Sequence, residues 1–279
     1  MISRLLRFVR FSHTIFALPF ALGSMLVAAR GWPAWTIFAL IILCMVFART
    51  AAMTFNRLAD WWIDQRNPRT VERHTLVSRS AAIALLIVCS AAFVATTAFI
   101  NPLCFALSPV ALIIIFFYSL TKRFTSYSHF FLGLALSVSP VGAWLAVRGS
   151  FTWPPLILAL AVLLWVAGFD IIYATQDHEF DRAEGLRSLV VRLGVQRALF
   201  WAQVLHWIML AVLIVFGWAA GLGTAFYASL VLVAGAIVFE HRSAAGLDLA
   251  SINRAFFSSN AFVGVVLLIG IFVDQMLVH

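Results

Sequence analysis

Apolar residues in this chain do not alternate with polar ones but fall in long runs separated by short polar stretches. A run of about 20 residues, coiled as an α-helix, crosses the hydrocarbon core of a bilayer. Nine such runs are read, at residues 12–29, 34–55, 82–100, 103–120, 128–147, 155–176, 199–220, 223–240 and 256–277. They are too long and too uniformly apolar for barrel strands, and a helix satisfies its own backbone hydrogen bonds in lipid. The longest polar gap, roughly 57–80, leaves no room for a soluble domain. The expectation is therefore an all-α integral membrane protein, one polytopic domain over residues 1–279 with nine transmembrane helices.

Composition agrees: 63% of the 279 residues are hydrophobic and 11% charged, more apolar surface than a water-facing fold can hide. A formal net charge of +8 would suggest nucleic acid in a soluble protein. Here its placement points instead to orientation, and no nucleic-acid partner is expected. Arg4, Arg7 and Arg10 precede the first run; Arg57, Arg66, Arg69, Arg73 and Arg79 follow the second; Lys122 and Arg123 follow the fourth. Arg182, Arg187, Arg192 and Arg197 follow the sixth, and Arg242 and Arg254 the eighth. Only Arg30 and Arg148 fall on the other side, with Arg49 inside the second run. This asymmetry supports nine crossings with the N-terminus in the cytoplasm and His279 outside. Cys44, Cys89 and Cys104 lie within predicted spans without metal-ligand spacing and read as small packing residues.

The chain has 11 acidic residues, and Asp60, Asp64, Asp170, Asp177, Glu179 and Asp181 are concentrated in two short segments. The first runs Asn56 to Asp64 out of the second span; the other runs Asp170 to Asp181 out of the sixth. If the helices continue, Asn56, Asp60 and Asp64 stack on one face at i, i+4, i+8, and Asp170, Tyr173, Asp177 and Asp181 do likewise. Like charges one turn apart repel, so each ladder calls for a cation. Magnesium suits oxygen ligands and uses one or two carboxylates together with substrate phosphate. Both ladders leave the membrane on the same predicted side, amid Arg and Lys, which makes a site for a diphosphate held through metal. Lys122, the only lysine, stands four residues after Tyr118, so one helical turn aligns phenol and ammonium. Both also suit an ordinary interfacial anchor.

Taken together these segments resemble the UbiA superfamily of intramembrane prenyltransferases. Its two Asp-rich motifs look like Asn56, Asp60 and Asp64, then Asp177 and Asp181, and its Tyr-x-x-x-Lys element looks like Tyr118 and Lys122. The stretch Phe11 to Leu22, Asn67-Pro68-Arg69-Thr70, and Asp170 to Asp181 are similar to the 4-hydroxybenzoate polyprenyltransferase-like branch, which includes menaquinone-pathway members. Ala255 to Asn260 resembles the last span. Departures exist: Arg57 replaces the Asp common in many members, as it does in the branch just named, no Pro or Gly follows Thr70 where a Pro-x-Gly-like turn is usual, and Arg187 stands where His or Lys is common.

The resemblance implies a UbiA-type helix bundle in a bacterial inner membrane. It implies Mg²⁺-dependent transfer of a polyprenyl group from its diphosphate to an aromatic quinone precursor, 4-hydroxybenzoate or a related acid, in ubiquinone or menaquinone biosynthesis. Asn56, Asp60, Asp64, Asp177 and Asp181 are the expected metal ligands, for two ions. Arg57, Arg66, Arg69, Tyr118, Lys122 and Tyr173 are expected around the substrates, and Asp170 near the acceptor. Naphthoate, haem or a lipid precursor are alternative acceptors. A transporter, the rival class, would place its acids near the bilayer midplane on broken helices.

Overall fold

A computed structural model of the chain describes residues 5, 7–9, 16–68, 70–246 and 249–278. Among them every regular element is helical: α1 (Leu18–Ala29), α2 (Trp35–Ala59), α3 (Trp61–Arg66), α4 (Arg73–Leu76), α5 (Arg79–Ala98), α6 (Pro102–Thr121), α7 (Ser128–Arg148) and α8 (Trp153–Ala174). A 3₁₀ turn (Thr175–Asp177) follows, then α9 (His178–Ala183), α10 (Leu189–Leu193), α11 (Val195–Ala219), α12 (Thr224–Ala245) and α13 (Leu249–Val278). Eight of these helices contain stretches long and apolar enough to cross a membrane, and α1 is a shorter apolar helix. They match the nine expected runs one for one, although the start of the first lies outside the described residues, as do Arg4, Arg10 and Arg69. Several helices run past their apolar windows, as α2 does to Ala59 and α12 to Ala245. Backbone hydrogen bonding does not stop where the lipid does, so hydropathy windows underestimate helix length.

Local chemistry explains the helix ends and the tolerated prolines. Asn101 caps α6 by accepting the Cys104 N–H at 2.8 Å, with Pro102 in the first helical position, where no N–H is needed. Ser78 and Ser188 cap α5 and α10 in the same way. Gly149 ends α7 in the left-handed region at φ 65°. Pro109 and Pro140 sit inside α6 and α7, and each leaves the carbonyl four residues earlier without its amide donor. In both cases the preceding serine takes over: Ser108 Oγ donates to Phe105 O at 2.8 Å and Ser139 Oγ to Leu136 O at 2.9 Å. In a bilayer, where no water can fill that bond, this lets a proline stay in a spanning helix.

The described helices group into two compact units, residues 1–14 with 34–120 and residues 15–33 with 121–279. In the first unit α2 packs along α5, and Phe55 stacks on Phe116 of α6 at 4.7 Å between ring centroids. Phe8, Val9, Met53 and Ala82 form its buried apolar cluster.

In the second unit α8 is the central helix, packed along α7 on one side and α11 on another. Glycine allows both contacts, since a Cβ on Gly133 would strike the backbone of Leu163, and one on Gly168 would strike the ring of His206. Phe16, Phe20 and Phe169 surround the buried Trp165. Several buried polar groups are paired between helices. His206 makes a hydrogen bond to Trp165 O at 3.1 Å and another to His241 at 3.0 Å, and Asn260 donates to Glu240 at 2.9 Å. Intramembrane polar residues are expensive unless so paired.

Candidate active site

The first acidic segment begins where α2 gives way to α3. A single continuous helix is the expectation from spacing; instead Asp60 adopts φ −95°, ψ 15° and separates the two. Asp is a poor helix-interior residue, which favours the interruption, although the Asp60 side chain makes no capping bond to α3. The hydrogen bonds Asp60 N–H to Asn56 O and Asp64 N–H to Asp60 O, 3.0 and 2.8 Å, still bridge it. Asn56, Asp60 and Asp64 thus follow one another a turn apart, as their spacing implies.

The three are tied to basic and polar neighbours of the same unit. Arg57, buried at 5% exposure, donates to Asn56 Oδ1 at 3.3 Å and lies 3.6 Å from Asp64 Oδ2, itself buried. Asn56 donates to Asp60 Oδ2 at 3.5 Å and to Ser119 Oγ on α6 at 3.4 Å. Tyr118 sits beside Ser119 and within electrostatic range of Arg49, Arg57 and Asp60. Thr70 Oγ1 donates to Asp64 O at 3.1 Å, and the amides of Thr70 and Val71 bond Asn67 O, so the Asn67–Thr70 turn folds back on the ladder. Beyond it, where the Pro-x-Gly pattern is missing, the chain makes the helical turn α4. Arg66 is exposed at the end of α3.

The second segment shows the same device. α8 ends at Ala174, the chain tightens into the 3₁₀ turn, and Asp177 adopts φ −103°, ψ 5° before α9. Here too an expected continuous helix is interrupted at the first aspartate of a pair. Thr175 Oγ1, bonded back to Ile172 O at 2.7 Å, favours the bend. Asp60 and Asp177 both occupy the sparsely populated bridge region, where active-site residues are often found. Asp177 and Asp181 are buried and Tyr173 is half-buried. Lys122 lies just past the end of α6, 3.9 Å from Asp181 Oδ2, with its own side chain 40% exposed. Arg187 holds that loop in place: its backbone N–H donates to Lys122 O at 2.8 Å and its guanidinium to Phe124 O at 2.7 Å. Deeper in α8, Asp170 Oδ2 meets Nδ1 of His129, on α7, at 2.6 Å.

Sequence reasoning misses four of these contributors. Arg49 stands out there only as an arginine inside a span, although it lies seven residues, two helical turns, before Asn56. A charge there is costly enough to mark it. Ser119, His129 and Arg187 act through contacts between elements, which spacing does not reveal. Within each unit, no three His, Cys, Asp or Glu side chains among the described residues gather into a metal cage. What the segments offer is oxygen ligands in pairs beside basic side chains. That donor set fits a hard divalent ion whose coordination a substrate phosphate completes.

Residues 17–263 match the UbiA prenyltransferase family. The chain is 30% identical over 275 residues to 4-hydroxybenzoate octaprenyltransferase of Vibrio vulnificus, covering 97% of this chain and 95% of the relative. It is 28% identical to that of Vibrio campbellii, covering 90% and 88%. Among solved structures, the apo structure of a UbiA homolog from Aeropyrum pernix is similar with a TM-score of 0.85 and 34% identity, over 94% of this chain and 98% of that one. A UbiA homolog from Archaeoglobus fulgidus bound to GPP and Mg²⁺ shares the fold with a TM-score of 0.71 at 20% identity, over 98% and 99%. Apolar helices and family together define an integral membrane prenyltransferase. The chain belongs to the UbiA prenyltransferase family.

Proposed function

We propose that this prenyltransferase moves a polyprenyl group from its diphosphate to 4-hydroxybenzoate or a closely related aromatic acid, a step toward ubiquinone or menaquinone. The observation that carries the reading is the repeated arrangement of a buried aspartate beside a basic side chain at an interrupted helix, Asp64 with Arg57 and Asp181 with Lys122. The names of the full-length relatives supply the acceptor.

In this reading residues 1–279 act as one domain of a bacterial inner membrane, with the N-terminus in the cytoplasm. Asn56, Asp60, Asp64, Asp177 and Asp181 hold two Mg²⁺ ions together with the diphosphate. Bound there, the ions would neutralise charge that builds on the leaving oxygens as the carbon–oxygen bond breaks. Lys122, Arg57, Arg66 and Arg69 supply further positive charge, with the Tyr118 and Tyr173 hydroxyls as hydrogen-bond donors. Asp170 faces the aromatic acceptor. The lipid-embedded bundle admits the prenyl tail from the side and keeps water from the allylic cation.

The test is incubation of purified protein with Mg²⁺, a labelled polyprenyl diphosphate and a panel of 4-hydroxybenzoate, a hydroxynaphthoate, haem and a glycerol phosphate, with products identified by mass. A prenylated hydroxybenzoate is expected. Transfer only to one of the others overturns the acceptor, and transfer to none overturns the reading.

A further inference from the structure

Asp170 is set apart from the other acids of its segment. It stands seven residues before Asp177, inside α8, whereas Asp177 and Asp181 lie beyond its end in the 3₁₀ turn and α9. Its side chain is 21% exposed, whereas its partner His129 is fully buried. The His129 ring uses Nδ1 for the 2.6 Å contact with Asp170 Oδ2, while Nε2 is buried without a hydrogen-bond partner among the described residues. A hydrogen on Nε2 would be left unpaired in a dry site, so the contacts assign it to Nδ1, which donates to the carboxylate. One carboxylate oxygen is therefore tied down.

We propose that His129 is a positioning residue for the transfer reaction: by fixing Asp170 Oδ2 it aims Oδ1 at the aromatic acceptor, where Oδ1 receives the ring proton. The inference rests on the aromatic-acceptor reading above. In the step, the allylic carbon–oxygen bond breaks and its electron pair leaves with the diphosphate. A ring carbon bonds the allylic carbon. The C–H bond at that ring carbon then breaks, its electrons restore aromaticity, and the proton passes to Asp170 Oδ1. His129 keeps its own hydrogen throughout and holds the carboxyl in place.

Three substitutions separate this role from simple packing. His129→Leu removes the donor, and His129→Gln places its amide where Nε2 stood, away from Asp170. His129→Asn puts an amide N–H near the position of Nδ1. For His129→Leu and His129→Gln, kcat should fall roughly 10²-fold, the cost of misplacing a reacting group, with KM for the prenyl diphosphate unchanged. His129→Asn should recover most of that loss. With acceptor deuterated at the reacting ring carbon, the wild type should show little difference in rate, because diphosphate departure limits it. The Leu and Gln variants should turn over the deuterated acceptor more slowly than the ordinary one. Active wild-type protein whose Leu and Gln variants keep normal kcat, or lose it without an isotope effect, overturns the role of His129 alone. Wild-type protein with no aromatic transfer overturns the function as well. The Gln variant covers the case in which leucine prevents folding.

Discussion

Asp274, far from the acidic segments in sequence, caps a helix to which it does not belong. The N-terminus of α12 has no side-chain cap of its own, Gly223 being the residue before it. A carboxylate on α13 takes that place: Asp274 accepts the Gly223 N–H at 2.9 Å, the Ala225 N–H at 3.1 Å and the Phe226 N–H at 2.8 Å, and is itself only 3% exposed. Bonds to a charged acceptor contribute about 1.5–3 kcal/mol each, and the helix dipole adds to them. They share one group, so they do not sum. Asp274→Leu leaves three amide donors unpaired and should cost about 3–5 kcal/mol, since each buried donor left unsatisfied costs about 1–3 kcal/mol and the partly exposed amides regain some bonding from water. Asp274→Asn keeps one carbonyl oxygen but turns an amide toward the same donors, and should cost roughly 1–3 kcal/mol. The assay is thermal unfolding of detergent-purified protein, with hydrogen exchange followed at Gly223, Ala225 and Phe226. The order wild type, Asn, Leu in Tm is expected, with faster exchange at those amides before the rest of α12. Wild-type Tm and exchange in Asp274→Leu would refute the capping argument.

Other predictions test the proposed site and topology. Asp60→Ala, Asp64→Ala, Asp177→Ala and Asp181→Ala should each lower kcat by roughly 10²-fold or more in folded protein, and chelation of Mg²⁺ should stop the wild type; near-normal turnover in two of the four would remove them as ligands. Lys122→Arg keeps the charge but not its reach, so turnover should drop ~10-fold, and Lys122→Gln further, with insertion unchanged; full activity in the Arg variant would mark Lys122 as an interfacial anchor. Arg187→Leu, which frees Phe124 O and loosens the loop of Lys122, should reproduce part of the Lys122→Gln loss in a turnover assay. Reporter fusions after residues 30, 122 and 279 should read outside, inside and outside, and an inside C-terminus would invert the charge argument.

Much of the chain is legible in its sequence alone, for a physical reason that operates locally. Transfer of a helix into lipid depends on the summed hydropathy of some twenty consecutive residues, so the runs at 103–120 and 128–147 come within a residue of α6 and α7. Capping is equally local, and Asn101-Pro102 announces the start of α6. The acid spacing holds as well, because Asn56, Asp60 and Asp64 remain a turn apart even though the helix is interrupted between them. That interruption is not legible: a run of helix-compatible residues does not reveal that an aspartate will leave the helix.

The sequence by itself determined the solvent, the helical class, the number of apolar runs and the acids that mark the chemistry, since each follows from residue type and short-range spacing. Only the tertiary structure decided that Arg57 pairs with Asp64, that Arg187 holds the loop of Lys122, that His129 ties down Asp170 and that Asp274 caps α12. These partners lie up to 65 positions apart, the separation of Arg187 from Lys122, and which helix faces meet is set by packing, with small residues such as Gly133 and Gly168 permitting the approach.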